Sequence, residues 1–582
     1  MTLDSKFRIV FLAMIVFFLA FGWLVLLFSA TGLFYVETVA MSIFVSVVLA
    51  LLILPKISQN INLKAGKIFY LVVLVSVLVS LTTCYFATPT VFGGRDQGSI
   101  GTAAIYLAKN HSLIVQNPIA RDLFQKYGAG KALNFPGFDY TKNGDLISRF
   151  PLGYTAYLAS AYDLAGLKGI QYANFLPLFF FLLIFWLILR EFFDNKVAFL
   201  GFLIAAAFFP FQWFAKYALT ETYMLFLVWT GVLFLICFAK QKRELFFWLS
   251  LAAFALSALV RIEGIAFFAL ALVYILLLQK KKIINLSQNI YKYILLSTIF
   301  ILAIYVYLNF PDLLDSTKNL VKAFLPNSTK ESAPSANLYS YLARTFFNYN
   351  LLPYSILGLV GILWLAKNIR KSWVKIEFLP IFITFPTFLY LLSPMISLDE
   401  PWFLRRFVFA VFPALLIYSI YILEKFFYHK IFLYLTLVAL IGANGVVAGR
   451  FLATSENKDL LPQVGKVSQK FGPDDLILVD PLSTASGFSL ASEPLRTIFG
   501  KQAVYFMNAD DLQYIDQARY KNIYLLAPFM TEGQPWYAAL IKGKSPDDAQ
   551  VFTNNFLEPA ESRFALAVNV EAKDLMVIWK VK

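Results

Sequence analysis

The stretch VFGGRDQGSI (91–100) sets Arg95 and Asp96 side by side, after two glycines, where an apolar run stops. The same meeting of acid and base recurs along the chain. WFAKYALTETYML carries Lys216 and Glu221, LVRIEG carries Arg261 and Glu263, SRFPLGY carries Arg149, and EPWFLRRFVF carries Arg405 and Arg406. A lone Lys or Arg at such a place is an ordinary snorkelling anchor. That role leaves the acids unexplained, because Asp96, Glu221 and Glu263 gain nothing from anionic headgroups. An acid–base cluster with excess positive charge predicts a site for an anionic lipid head, a phosphate above all. Transfer to a hydroxyl at such a site needs a carboxylate to take the proton and cations to hold the departing phosphate. Asp96, beside the permissive Gly94, is the expected base. Arg95, Arg149, Lys216, Arg261, Arg405 and Arg406 are the candidate phosphate contacts, with Gln97, Tyr154 and Glu263 in support.

The elements that must carry these residues are membrane spans. The 582 residues are 59% hydrophobic and 18% aromatic, with a mean hydropathy of +0.68. The apolar residues come in runs of about 17–22, the length of transmembrane helices. Thirteen spans are predicted, near 8–29, 36–55, 67–88, 172–189, 197–213, 221–239, 245–260, 262–279, 293–309, 350–366, 376–393, 406–423 and 430–448. The first run lacks a convincing cleavage site and reads as a retained span. The net charge of +15 is the basic excess of short cytoplasmic loops rather than a nucleic-acid surface. Lys and Arg in alternate loops place the N-terminus inside. Four segments then lie outside: 89–171, 310–349, 394–405 and everything after about 450. Cys84 and Cys237 lie in runs at opposite faces, so neither a disulfide nor a zinc motif is expected.

The 89–171 segment is too long for a passive connector. Ile100, Ala104, Leu107 and Ala108 predict an interfacial helix, Asn143-Gly144 a hairpin, and Tyr154, Tyr157, Leu158 and Ala161 a second interfacial helix. Beyond 450, DDLILVD, KQAVYF, KNIYLLA and FALAVNV read as strands of a small α/β domain, 451–582, which DLMVIWKV closes and which has no Gly-rich phosphate loop. His111 reads as a solvated loop residue, and the NST at 327–329 as a chance match to a glycosylation tripeptide.

Nucleotide sugars are not generally available outside a cell, so a transferase there needs a lipid-carried donor. At these residues the chain resembles the GT-C superfamily of integral membrane glycosyltransferases, of the protein mannosyltransferase and aminoarabinose transferase (family 39-like) type. GGRDQGS resembles its first-loop acid, SRFPLGYTAYLA its K/R-x-P-x-GY stretch, and WFAKYALTETYMLFL its R/K-x-x-x-TE segment. ALVRIEG resembles its RPEG, and LRRFVFAVFP its late arginine before an aromatic span. The resemblance covers about 60–450 and implies a mainly α GT-C fold of about thirteen spans, 1–450, in the plasma membrane of a prokaryote. It implies a polyprenyl-phosphate sugar donor and inversion at the sugar. Asp96 takes the catalytic acid's place and Glu221 that of a second acid. Arg149 and Arg405 or Arg406 fall at the lipid phosphate. Asp96 is followed by Gln97 rather than a second acid, which argues against a metal-bridged site; no cofactor is called for, and a divalent metal is not indicated. The acceptor, whether glycan, lipid or protein, is left open. The rival readings are a transporter or flippase of a lipid-linked sugar and a non-catalytic lipid-binding subunit. Against transport, the ionisable residues lie at span ends rather than at the midplane.

Overall fold

The computed structural model describes residues 3–58, 67–284, 336–368, 375–392, 399–529, 537–560 and 564–582, together with Ser562 and a few positions between 292 and 304. Seven helices in it are long and apolar enough to cross a membrane, or up to nine if each of two bent pairs is one span. They begin with α1 (Leu3–Ala30), α2 (Val36–Ser58) and α3 (Lys67–Tyr85). After the 89–171 segment, which holds α4 (Asp96–Asn110), α5 (Pro118–Tyr127) and α6 (Leu152–Tyr172), comes α7 (Phe175–Phe192). Then α8 (Asn195–Ala206) and α9 (Phe209–Ala215) form one bent pair at 48°. Next are α10 (Thr220–Gln241), α11 (Glu244–Ala258) and α12 (Glu263–Lys280). The predicted 245–260 span is the short helix α11, joined to α12 by four residues, Leu259–Ile262. The 350–366 span is the second limb of a pair bent by 107°. The 376–393 span is a short apolar helix, Ile376–Leu391. The 406–423 span starts as the helix Val411–Phe426, and the last long helix is Lys430–Leu452. Residues 293, 301–302 and 305–309 of the predicted 293–309 span, most of 310–349, the NST tripeptide and 393–398 lie outside the described residues.

The hairpin forms where Asn143-Gly144 predicts it. Strands β3 (Phe138–Tyr140) and β4 (Leu146–Ser148) pair antiparallel, and Gly144 takes φ +80° in the turn. Strands β1 (Ile114–Val115) and β2 (Gly130–Lys131) extend them to a four-stranded sheet in the order β1-β4-β3-β2.

The interfacial-helix expectation needs correction. Helix α4 does not lie on a surface: Gln97 to Ile105 are all buried. Ile100, Ala104, Leu107 and Ala108 pack into the core of the membrane bundle, while Ala103 belongs to a second core. That second core joins Ile119, Leu123, Phe135 and Phe138 of the 89–171 segment to Leu476, Val504 and Leu525 of the C-terminal region. The two parts therefore share one core. Ion pairs seal the seam, Lys126 to Asp511 at 2.6 Å and Arg519 to Asp122 at 2.9 Å. Helix α6 is likewise buried along its first turns; Tyr154 is 1% exposed, and its hydroxyl donates to Asn174 at 3.1 Å.

The C-terminal sheet runs β6-β5-β7-β9-β8. Strands β5 (Leu476–Val479), β6 (Gln502–Tyr505) and β7 (Ile523–Pro528) are parallel; β5 is fully buried, β7 mostly, and β6 at its two central residues. FALAVNV, read as a strand, and the closing stretch DLMVIWKV meet in one strand, β9 (Val568–Lys580), which starts at Val568. Its partner β8 (Asp548–Glu558) is an edge strand rich in Asn and Thr, without an apolar run to announce it.

Candidate active site

Three carboxylates on three helices meet at one end of the bundle, and each sits in the first turn of its helix. Asp96 begins α4, Glu221 is the second residue of α10, and Glu263 begins α12. The unpaired N–H groups and the dipole of a helix N-terminus favour an anion there. An acid directly after the end of a hydrophobic run is the sequence trace of that placement.

The cations arrive from elsewhere and thread the acids together. Arg405, in the tight turn Trp402–Phe407, bonds Asp96 Oδ2 through Nη1 and Glu221 Oε1 through Nε, the latter at 2.6 Å. Arg261 donates to the same Glu221 oxygen at 2.6 Å, to Thr220 Oγ1 at 2.9 Å and to Glu263 Oε1 at 2.8 Å. Glu263 also accepts from the Tyr390 hydroxyl at 2.8 Å and lies 3.4 Å from Arg406 Nη1. The chain of contacts is therefore Asp96–Arg405–Glu221–Arg261–Glu263–Arg406. Three acids face three guanidiniums, so the expected excess of positive charge is absent from this network.

Exposure separates the members. Glu221 is fully buried, whereas the Asp96 side chain keeps 48% of its surface and Arg406 29%. Arg406 Nε is buried with no hydrogen-bond partner among the described residues. The two ends of the chain are thus open to a ligand while its middle is closed. Burial alone would raise the Asp96 carboxyl; the guanidiniums of Arg405, Arg406 and Arg261 outweigh it and hold the group below the usual carboxylate range.

Several predicted residues sit apart from that chain. Lys216 does not offer its ammonium to a ligand: it donates to the carbonyls of Phe451, Leu452 and Thr454 at 2.6–2.8 Å, closing the end of the last long helix. Burial pushes its pKa down to about 7, which further weakens it as a phosphate clamp. Arg149 is paired with Asp139 across the hairpin at 2.6 Å. Arg95 turns away from Asp96 to Asp399 at 2.6 Å, its guanidinium between the rings of Trp402 and Phe488 at 4.6 and 4.1 Å. Tyr390, Thr220, Asp399, Trp402 and Phe488 carry no signal of their own in the sequence; only the fold brings them here. Cys84 and Cys237 are both free.

The loop that holds Asp96 is fixed from the C-terminal side. Leu490 N donates to Gly93 O at 3.1 Å, and Gly94 takes φ +97° with the Phe488 backbone 2.9 Å from where a Cβ would stand. Only glycine fits there. Gly98, one turn later, lies so close to Phe92 that a Cβ would fall 1.5 Å from its carbonyl oxygen.

No family model and no curated relative matches the chain. Among solved structures it is similar to ArnT from Cupriavidus metallidurans bound to undecaprenyl phosphate, at 13% identity, over 88% of this chain and 98% of that one, with a TM-score of 0.50. The apo state of that protein gives the same values. The oligosaccharyltransferase of Archaeoglobus fulgidus in its apo form aligns over 81% of this chain and 71% of that one, at 11% identity and a TM-score of 0.49. At such identity the likeness to ArnT speaks for architecture: the chain is an integral membrane protein with the GT-C fold.

Proposed function

We propose that the chain is a glycosyltransferase that moves a sugar from a polyprenyl-phosphate donor to an acceptor hydroxyl on the extracytoplasmic face, with inversion. The observation that carries this reading is the half-exposed Asp96 carboxylate held ionised by Arg405, with the partly open Arg406 guanidinium in the same network. Asp96 takes the proton of the attacking hydroxyl. The new glycosidic C–O bond forms at the anomeric carbon as the bond to the phosphate oxygen breaks, and the electron pair leaves on the polyprenyl phosphate. Arg406, helped by Arg405, receives that charge. The resemblance of motifs and the GT-C fold support the reading, as does the lipid phosphate named in the ArnT complex.

Two measurements test it. Cells without the chain should lack one defined surface sugar and accumulate a polyprenyl-phosphate sugar, both read by mass spectrometry; unchanged glycans would remove the reading. Sidedness is tested with a cysteine at the exposed hairpin residue Lys142 and another at Lys281, in a background cleared of Cys84 and Cys237. An impermeant maleimide on intact cells should label the first and spare the second. The reverse pattern would place Asp96 in the cytosol.

The acid limb of the rate follows from Asp96. A carboxyl whose folded pKa lies below its unfolded value of ~3.9 contributes stability that is complete above that value and is lost as pH falls through the folded one. The anion, and with it transfer, should therefore persist to below the ordinary carboxylate range. Arg405→Gln should move the acid limb upward, since burial then acts with less opposition. A profile that does not move between the two proteins would show that another group sets it.

A further inference from the structure

A cavity of about 290 Å³ takes in the two sequence neighbours of Asp96, Arg95 and Gln97, and neither Arg405 nor Arg406 lines it. Its lining comes from Arg95 and Gln97 of the Asp96 loop, from Asp399 and Glu400, and from Glu456. The C-terminal domain closes it with the 482–489 loop and the end of β8 at 556–559. Three features define what it can hold.

The first is Gln97. It is 7% exposed, it lines the cavity, and its amide makes no hydrogen bond among the described residues. Its amide atoms are not enclosed, so two donors and an acceptor are open to a partner in the cavity. The second is charge. Arg95 is the one cation in the lining, and it is matched by Asp399 at 2.6 Å; Glu400 is answered by Arg344 at 3.1 Å. Glu456 accepts from Leu557 N at 3.4 Å and faces Arg95 and Lys216, which leaves Glu558 without a cation among the described residues, so a phosphate or any other anion gains no counter-charge here. The third is Phe488, 55% exposed, whose ring holds the Arg95 guanidinium at 4.1 Å and still leaves apolar surface open at the rim. An aromatic surface, an unpartnered amide and the Glu558 carboxylate as an acceptor together suit a compact, uncharged polyol.

We infer that this cavity is the acceptor subsite and that the acceptor is the uncharged terminal sugar of a glycan, which presents one hydroxyl to Asp96 and a neighbouring hydroxyl to Gln97. This rests on the glycosyltransferase reading above and deepens it. Donor phosphate and acceptor sugar then reach Asp96 by way of different residues, the phosphate along the guanidiniums and the sugar along the cavity that the C-terminal domain closes. The space is small and closed by two loops, which fits the end of a glycan and not a folded peptide.

The test uses the full chain in nanodiscs and two separate probes. Neutral disaccharides ending in glucose, galactose, mannose or N-acetylglucosamine are titrated while tryptophan fluorescence is read, since Trp402 touches Arg95 at the cavity wall. A glucuronate-ended disaccharide is the anionic control, and undecaprenyl phosphate binding is measured independently. At least one neutral sugar should change the signal and the glucuronate should not. Gln97→Ala and Phe488→Ala should each weaken the sugar by ~5–10-fold and leave the lipid phosphate alone. Glu558→Lys should admit the glucuronate. If no neutral sugar binds, or if Gln97→Ala and Phe488→Ala bind it as the native chain does, the acceptor assignment fails while lipid binding still supports the donor. If sugar binds and undecaprenyl phosphate does not, the donor reading fails and the subsite stands.

Discussion

Asp96→Asn should lower the rate of sugar transfer by ~10²–10⁴-fold, the range a positioned general base supplies, while the lipid donor still binds. The substitution keeps the shape of the side chain and removes only its ability to take a proton. Arg405 retains Glu221 at 2.6 Å, so the turn that carries it stays anchored. Removing one negative charge near Arg405 and Arg406 can only favour a phosphate, so donor affinity should hold or tighten. The pair of readouts matters. Lost transfer with lost lipid binding would indicate a collapsed site, and normal transfer with normal binding would take the base role from Asp96. Asp96→Glu should recover part of the rate if the proton, rather than the ion pair with Arg405, is what the step needs.

Much of the scaffold could be read from the chain because membrane spans are local: about twenty apolar residues suffice to specify one. The Asn143-Gly144 turn and the buried parallel strands Leu476–Val479 and Ile523–Pro528 are local signals of the same kind. What could not be read is long-range. Nothing in the sequence couples Glu221 to Arg405, 184 positions away, or Lys126 to Asp511 across 385. The same limit explains Lys216, a basic residue at a span end whose fate depends on where the helix Lys430–Leu452 stops. It also explains α4. Its sequence reads as one apolar face with small and polar residues behind it; Gly98 and Gly101 on that back side are small because the 90–93 backbone presses against them, and Ser99 meets Gly137. The types of the site residues were visible, but their partners were not.

Glu221→Gln should be the most damaging single change for stability, although Glu221 touches neither donor nor acceptor in the proposed reaction. Its Oε1 receives both Arg261 and Arg405 at 2.6 Å, and it is fully buried. In the native network Asp96, Glu221 and Glu263 balance Arg261, Arg405 and Arg406. Neutralising Glu221 leaves one buried guanidinium charge without an answer, and breaking a buried ion pair from one side typically costs ~3–5 kcal/mol. Thermal unfolding in detergent should fall accordingly, and transfer should fall with it, because Arg405 loses the anchor that aims it at Asp96. The control is the double variant Glu221→Gln/Arg261→Gln. Two acids then face two cations again, so charge balance returns even though the original bonds do not. The double variant should be more stable than Glu221→Gln alone, with transfer still impaired. Equal stability of the single and double variants would mean that packing around Thr220 and Tyr390, rather than the buried charge, is what Glu221 maintains.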